Sequence, residues 1–245
     1  MPWAHDAWQV GLVGLAALGT LFCMFGVPLV YVVAAYAAGF VDLRHPNGQL
    51  LAAQIVSYVP QAVFLLAVLP PLAHASLAEL GFRRPHRRDI GIALIGVAAM
   101  SIVVTLVGSL IVSLTHEHDT EAAIALLRQL QTPFQKIVYV LIAVAFAPMI
   151  EELTFRVFLF NAFTRYLRVP LAAVASGIAF GLIHAQAKTK EEFVAQLLTV
   201  SIPLACGGIV LAYVYATTRC YWANVITHGA FNAITVVAVV FFHAK

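Results

Sequence analysis

Charge is what this sequence has least of: 10% of its 245 residues are Asp, Glu, Lys or Arg, against roughly 25% in a soluble globular domain. So few charges cannot cover a water-facing surface, and a soluble globular protein is excluded. Cysteines number three, Cys23, Cys206 and Cys220, without CxxC spacing and all in or beside apolar runs; they read as packing residues, and no disulfide framework is implied. The compact HExxH motif of the zincins is absent. There is no fixed-period repeat, no low-complexity linker and no interleaved basic and aromatic surface. The net charge of +3 comes from short basic clusters at the ends of apolar runs, which is the pattern of membrane topology and not of nucleic-acid binding. The opening "MPWAHDAW" lacks the basic start of a secretory signal, and the apolar run behind it is too long for a signal core. A retained first helix is expected.

What the chain does have is apolar length. It is 62% hydrophobic, and seven runs, about 8–41, 50–73, 89–115, 134–163, 169–187, 193–216 and 221–243, approach or exceed the ~20 helical residues that cross a bilayer. The expected fold is all-α, a polytopic bundle of about seven transmembrane helices forming a single membrane domain over 1–245. Pro28 marks a bend in the first run. Arg83, Arg84, Arg87 and Arg88 form the densest positive cluster, which assigns that loop, the N-terminus, "TRYLRV" and Arg219 to the cytoplasmic side and the acidic "THEHDTE" loop and the C-terminus to the other. "EAAIALLRQLQ" repeats Ile124, Leu127 and Leu130 at helical spacing, as a helix lying on the membrane surface would. "CGG" at 206–208 reads as a small-residue packing face. Trp3, Trp8, Tyr221 and Trp222 fall at run ends, where aromatic belts form.

Against this background "MIEELTFRVF", residues 149–158, is anomalous. An ionisable side chain near the bilayer centre costs ~2.5–3.5 kcal/mol on insertion scales, and such residues face bundle interiors and mark function. Glu152 and Arg156 are four apart, on one helix face with the acid first, and neutralise each other. Glu151 lies about 100° around the helix and is left over, as a proton carrier, a ligand or a general base. Pro148, one turn earlier, reads first as a helix kink; because it withholds an N–H, it can also free a backbone carbonyl in the site. "FGLIHA" places Phe180 and His184 one turn apart on another run, and "HGAFN" places His228 and Asn232 one turn apart on a third, with Asn224 a turn before. Such a set suits hydrolysis. Glu151 with His184 can hold and deprotonate a water, while His228 and Asn232 present two donors to the oxygen of a scissile carbonyl. The same side chains can instead bind zinc through His184, His228 and a carboxylate.

"EELTFR", "FGLIH" and "HGAFN" fit the EExxxR, FxxxH and HxxxN motifs, in the order and separation seen in the CPBP (Abi) family of intramembrane proteases, which includes CAAX prenyl endopeptidases of the Rce1 type. The chain resembles that family over about residues 137–234, with a weaker echo in "AELGFRRP". The resemblance implies an intramembrane endopeptidase in which Glu151 and His184 activate water, His228 and Asn232 stabilise the oxyanion or ligate, and Glu152, Arg156 and Phe180 support them. The family has been described as metal-dependent, with Glu151, His184, His228 and Asn232 as the matching ligand set here and zinc as the metal, and as glutamate-type without metal; the residues favour the latter.

The partners so implied are a peptide or protein substrate in or at the membrane and the lipid bilayer, not nucleic acid. A composition rich in Ala, Val and Leu, with Arg favoured over Lys, points to a bacterium and its cytoplasmic membrane. Two other classes compete: a non-catalytic immunity or scaffold protein that keeps the family fold, and a proton-coupled transporter with a Glu151, His184 and His228 relay. The small helix count and the missing inverted repeat weigh against the transporter.

Overall fold

The computed structural model describes residues 8–40, 47–116, 124, 127–128, 130, 132–185 and 189–242, with side chains from 8–40, from 52 onward and up to 240. Seven helices hold most of these residues: α1 (Val10–Ala37), α2 (Asn47–Ala73), α3 (Arg87–Thr115), α4 (Pro133–Tyr166), α5 (Val169–Leu182), α6 (Lys190–Thr218) and α7 (Tyr221–Phe242); residues 124, 127 and 128 are helical as well. No strand occurs among the described residues. Each helix corresponds to one apolar run. Six are long and apolar enough to cross a membrane, whereas α5 has 14 residues, which at ~1.5 Å per residue is about 21 Å. The expected fifth segment, 169–187, is therefore too long, and His184 stands beyond the helix end.

α6 is the central strut, packed on α5, α3, α7 and α4, while α1 leans on α2 at the edge. Apolar side chains along α1, such as Leu15, Leu18, Phe22 and Leu29, stay exposed, as lipid-facing positions should. The tightest crossing joins α5 to α6, and glycine is its cause. A Cβ on Gly177 would sit 2.6 Å from the Ala205 carbonyl oxygen, a Cβ on Gly181 would strike the Ser201 carbonyl, and one on Gly208 would come 2.9 Å from Gly177 Cα. Backbones approach this closely only without side chains between them. The "CGG" packing face is thus real, with Gly207 turned to Met100 and Val104 of α3.

Three helices widen into π-turns, at Phe22–Gly26, Ile142–Phe146 and Leu197–Ser201, and each ends two residues before a proline: Pro28, Pro148 and Pro203. A proline ring crowds the carbonyl four residues back and offers it no N–H, so the preceding turn opens and bonds five residues back instead. The bend expected at Pro28 takes this form. A fourth π-segment, Leu153–Phe160, follows Glu152 and has no proline of its own.

One side of the bundle gathers the ends assigned to the cytoplasm. The Trp8 N–H donates to the Leu72 carbonyl at 2.9 Å and the Tyr166 hydroxyl donates to the Trp8 carbonyl at 2.7 Å. Arg83 spans Asp89 and the Thr218 carbonyl, at 2.7 and 2.6 Å, and this partner holds its guanidinium above the ordinary value. The Tyr221 N–H reaches the carbonyl of Gly81 at 2.9 Å, where the backbone turns with φ +101°. "AELGFRRP" is therefore a clamp over the α6–α7 turn. Trp8 and Tyr221 do not form an aromatic belt: both are buried, Trp8 stacked on Phe158 and Tyr221 on Phe82. Trp222 stays partly exposed, and Trp3 lies outside the described residues. On the opposite side Leu127 and Leu130 are buried with Tyr139 and Ile142, against Tyr58, Val236 and Val239, so these two leucines cap the bundle instead of facing lipid.

Gly181→Val should lower the melting temperature and folded yield, an overpacking loss of about 1–3 kcal/mol or more because the obstacle is backbone. Gly91→Ala, where nothing lies within 4 Å, should match the parent. Thermal size-exclusion profiles of the detergent-solubilised variants check both.

Candidate active site

Glu152 is fully buried on α4 and serves as the hub. Its Oε1 lies 3.1 Å from Nη1 of Arg156, one turn along, and 2.8 Å from Nδ1 of His228 on α7, while Oε2 accepts from the side-chain amide of Asn224. Arg156 is equally buried; its Nη2 donates to the Gly208 carbonyl of α6 at 3.0 Å and its guanidinium lies 4.7 Å over the ring of Phe180. The expected Glu152–Arg156 pair is present. What the sequence does not reveal is that Glu152 also holds the histidine.

These contacts fix proton positions. A carboxylate only accepts, so Nδ1 of His228 carries a hydrogen and Nε2 faces away, 3.7 Å from Oε2 of Glu151. His184 follows the same logic. Its Nδ1 lies 2.7 Å from the Phe180 carbonyl, a pure acceptor, so Nδ1 donates and Nε2 of the neutral ring is an acceptor. Both imidazoles pack on the Phe180 ring, with centroids 4.8 Å away for His184 and 5.5 Å for His228. The Glu151 side chain is 14% exposed where that of Glu152 is 0%, so the adjacent glutamates sit in different surroundings, Glu152 enclosed beside Arg156 and Glu151 nearer the surface.

Asn232 has a task that the sequence did not disclose. In the π-turn Ile142–Phe146 the Ala147 N–H bonds back to Ile142, which takes from Ala143 the donor an α-helix would supply. The Asn232 side-chain N–H fills the vacancy at 2.8 Å. Pro148 does more than kink the helix: it has no N–H for the Val144 carbonyl one turn back, and that carbonyl faces Gly229, where a Cβ would come within 2.5 Å of it. Two further α4 carbonyls are met by neighbouring hydroxyls, Met149 by Tyr221 at 2.8 Å and Phe155 by Ser176 at 2.7 Å. Thus α4 and α7 are registered by backbone polarity as well as packing, and Glu151, His228 and Asn232 come to one seam.

The zinc alternative needs His184, His228 and a carboxylate drawn to one point. Among the described residues no three His, Cys, Asp or Glu side chains gather as a metal-holding group, although Nδ1 of each imidazole is tied to an oxygen acceptor, the support that a metal-bound histidine also uses. Asn224 and the Gly208 carbonyl are the participants sequence reasoning underrated; the one available signal was that Asn224 precedes His228 by one turn.

A family model described as type II CAAX prenyl endopeptidase, Rce1-like, matches residues 133–234. That stretch runs from the start of α4 into α7 and contains all three motifs, so the match agrees with the resemblance read from the sequence. The match supports a protease, and the apolar helices make it a multi-pass membrane protein. Comparisons with curated proteins and with solved structures give no match.

Arg156→Ala should cost folding as well as activity, since it leaves Glu152 with an uncompensated buried charge, about 3–5 kcal/mol. Arg156→Lys should restore little, because an ammonium cannot both bond Gly208 and lie flat on Phe180. A melting profile of Arg156→Ala equal to that of the parent would contradict the pairing.

Proposed function

We propose that this chain is a glutamate-type intramembrane endopeptidase that hydrolyses a peptide bond of a membrane-embedded or membrane-proximal segment, a CAAX-protease-like reaction. In this reading residues 1–245 form one membrane domain with its catalytic core at about 137–234, set in a bacterial cytoplasmic membrane. The observation that carries the proposal is the 3.7 Å approach of Glu151 Oε2 to His228 Nε2, with Glu152 behind the other ring nitrogen.

Charge neutrality supplies the mechanism. In a medium of low dielectric the buried cluster is stable only near zero net charge. Arg156 and Glu152 cancel. Glu151 and His228 then share one proton: either a neutral acid faces a neutral imidazole, or a carboxylate faces an imidazolium. The second form is the working one. Glu151 as carboxylate removes a proton from water while the water oxygen attacks the carbonyl carbon, and Nε2–H of His228 donates to the oxygen as it becomes negative. A primary amide has two N–H groups, so Asn232 can direct its second one to the same oxygen while the first holds Ala143. When the tetrahedral intermediate collapses the C–N bond breaks, Glu151 passes its proton to the leaving amine, and Nε2 of His184 steadies the water beforehand by accepting a hydrogen bond.

The test uses protein reconstituted in liposomes with two quenched fluorescent peptides, one farnesylated and ending in a CAAX sequence, the other an unprenylated membrane-spanning helix. Glu151→Gln should reduce cleavage by about 10²–10⁴-fold, the usual contribution of a positioned base, with the melting temperature preserved. Strong chelation should leave cleavage intact. Stoichiometric zinc that tracks activity would overturn the glutamate-type reading, and a function retained in Glu151→Gln would favour the scaffold.

A further inference from the structure

The geometry points to Asn224 as a positioning residue for this chemistry, holding Glu152 so that His228 keeps a single tautomer. The inference rests on the catalytic reading above and adds to it a residue outside the three motifs.

Asn224 is fully buried on α7, one turn before His228. Its Nδ2 donates both to Oε2 of Glu152 and, at 3.0 Å, to the carbonyl oxygen of Leu211 on α6. Both partners are pure acceptors, so only the nitrogen end of the amide can face them, and the side chain is locked in that sense. Its Oδ1 has no hydrogen-bond partner, an unfavourable arrangement in a bilayer-depth core that packing alone would not select. Leucine or valine would fill the same space without it. The amide is held in place by what it does for Glu152.

Two carboxylate oxygens must be oriented. Oε1 meets His228 and Arg156, and Oε2 meets Asn224. Without Asn224, Oε2 has no donor among these groups, the carboxylate can rotate about its terminal bond, and either oxygen can compete for Arg156. The Nδ1–H of His228 then loses its fixed acceptor. An imidazole without a fixed acceptor exchanges tautomers, and in one of them Nδ1 carries no hydrogen and Nε2 no longer offers Glu151 a site for the shared proton. Asn224 also ties Glu152 to α6, whose Gly208 carbonyl holds Arg156, so acid and base of the ion pair are referenced to the same helix.

A merely structural asparagine would affect stability; a positioning one affects the ring nitrogens and the chemical step. The test compares the parent with Asn224→Leu and Asn224→Ala in two ways. The first is 15N NMR of ring-labelled histidine in detergent micelles, with His228→Gln identifying the signal. The parent should show one His228 form with Nδ1 protonated, and both variants a mixture of tautomers. The second is hydrolysis of the two peptides above, where kcat should fall about 10–100-fold, as for other residues that orient a functional group, with KM within twofold. An unaltered nitrogen pattern in folded Asn224→Ala overturns the inference, as does a loss confined to KM. If neither peptide is cleaved by the parent, the protease reading fails, and the NMR comparison still decides the role of Asn224. Should the leucine variant not fold, Asn224→Ala, which adds no bulk, carries both measurements.

Discussion

A carboxylate and a guanidinium, each with no exposed surface, hold this bundle to one arrangement. Glu152 and Arg156 could not remain charged at bilayer depth unless every neighbouring helix contributed to them. α6 gives the Gly208 carbonyl, α5 gives the face of Phe180, and α7 gives Asn224 and Nδ1 of His228. The desolvation of such a pair is costly, and replacement by apolar residues is often no less stable. Its presence argues for specificity: the contacts with Gly208, Phe180, Asn224 and His228 form together only in one registry of the four helices, and that registry brings Glu151 to His228.

Backbone polarity works in the same direction. Helix-interior prolines look like flaws, yet Pro28, Pro148 and Pro203 are each preceded by a widened turn, and the turn before Pro148 yields carbonyls that other helices use. Asn232 takes the one at Ala143, and Gly229 leaves room for the one at Val144. Hydrocarbon offers no alternative partner for a stranded carbonyl, so each such group becomes a specific point of attachment. Pro148 and Asn232 are 84 residues apart in the sequence, and their relation is visible only through the turn between them.

The sequence is legible wherever the rule is local. Apolar length located all seven helices, and the i,i+4 spacing of Glu152 and Arg156 disclosed their pairing because both lie on one helix. The small residues at 206–208 announced a close crossing, but not that Gly177 and Gly181 were the other half. Non-local facts were hidden. That Glu152 serves His228 depends on the rotation of α7 about its axis, which no periodicity specifies. Trp8 was misjudged because position at a run end is compatible with both a lipid interface and a buried anchor; its φ of +58° and its bonds to Leu72 and Tyr166 decide for the anchor. His184 was assigned to a helix because its neighbours are apolar, although α5 ends at Leu182.

That early ending bears on how water reaches a peptide bond inside a membrane. α5, at about 21 Å, is shorter than the ~30 Å hydrocarbon layer, and it starts next to Tyr166 on the side where Trp8 and Arg83 gather. Its far end, with Ile183, His184 and Ala185 in turn conformation, therefore lies at membrane depth. Irregular backbone is tolerated there only when buried in protein or bordering water. The three N–H groups of this turn are bonded to Ala179, Gly181 and Leu182, and His184 donates to Phe180, so the turn itself is saturated. His184 itself is partly exposed, and the Nε2 of its neutral ring is an acceptor, as a water molecule requires. A full-length α5 would bury that edge against lipid. A short one ends beside the Phe180 ring shared with His228, which places the polar edge of the bundle next to the groups that would consume the water.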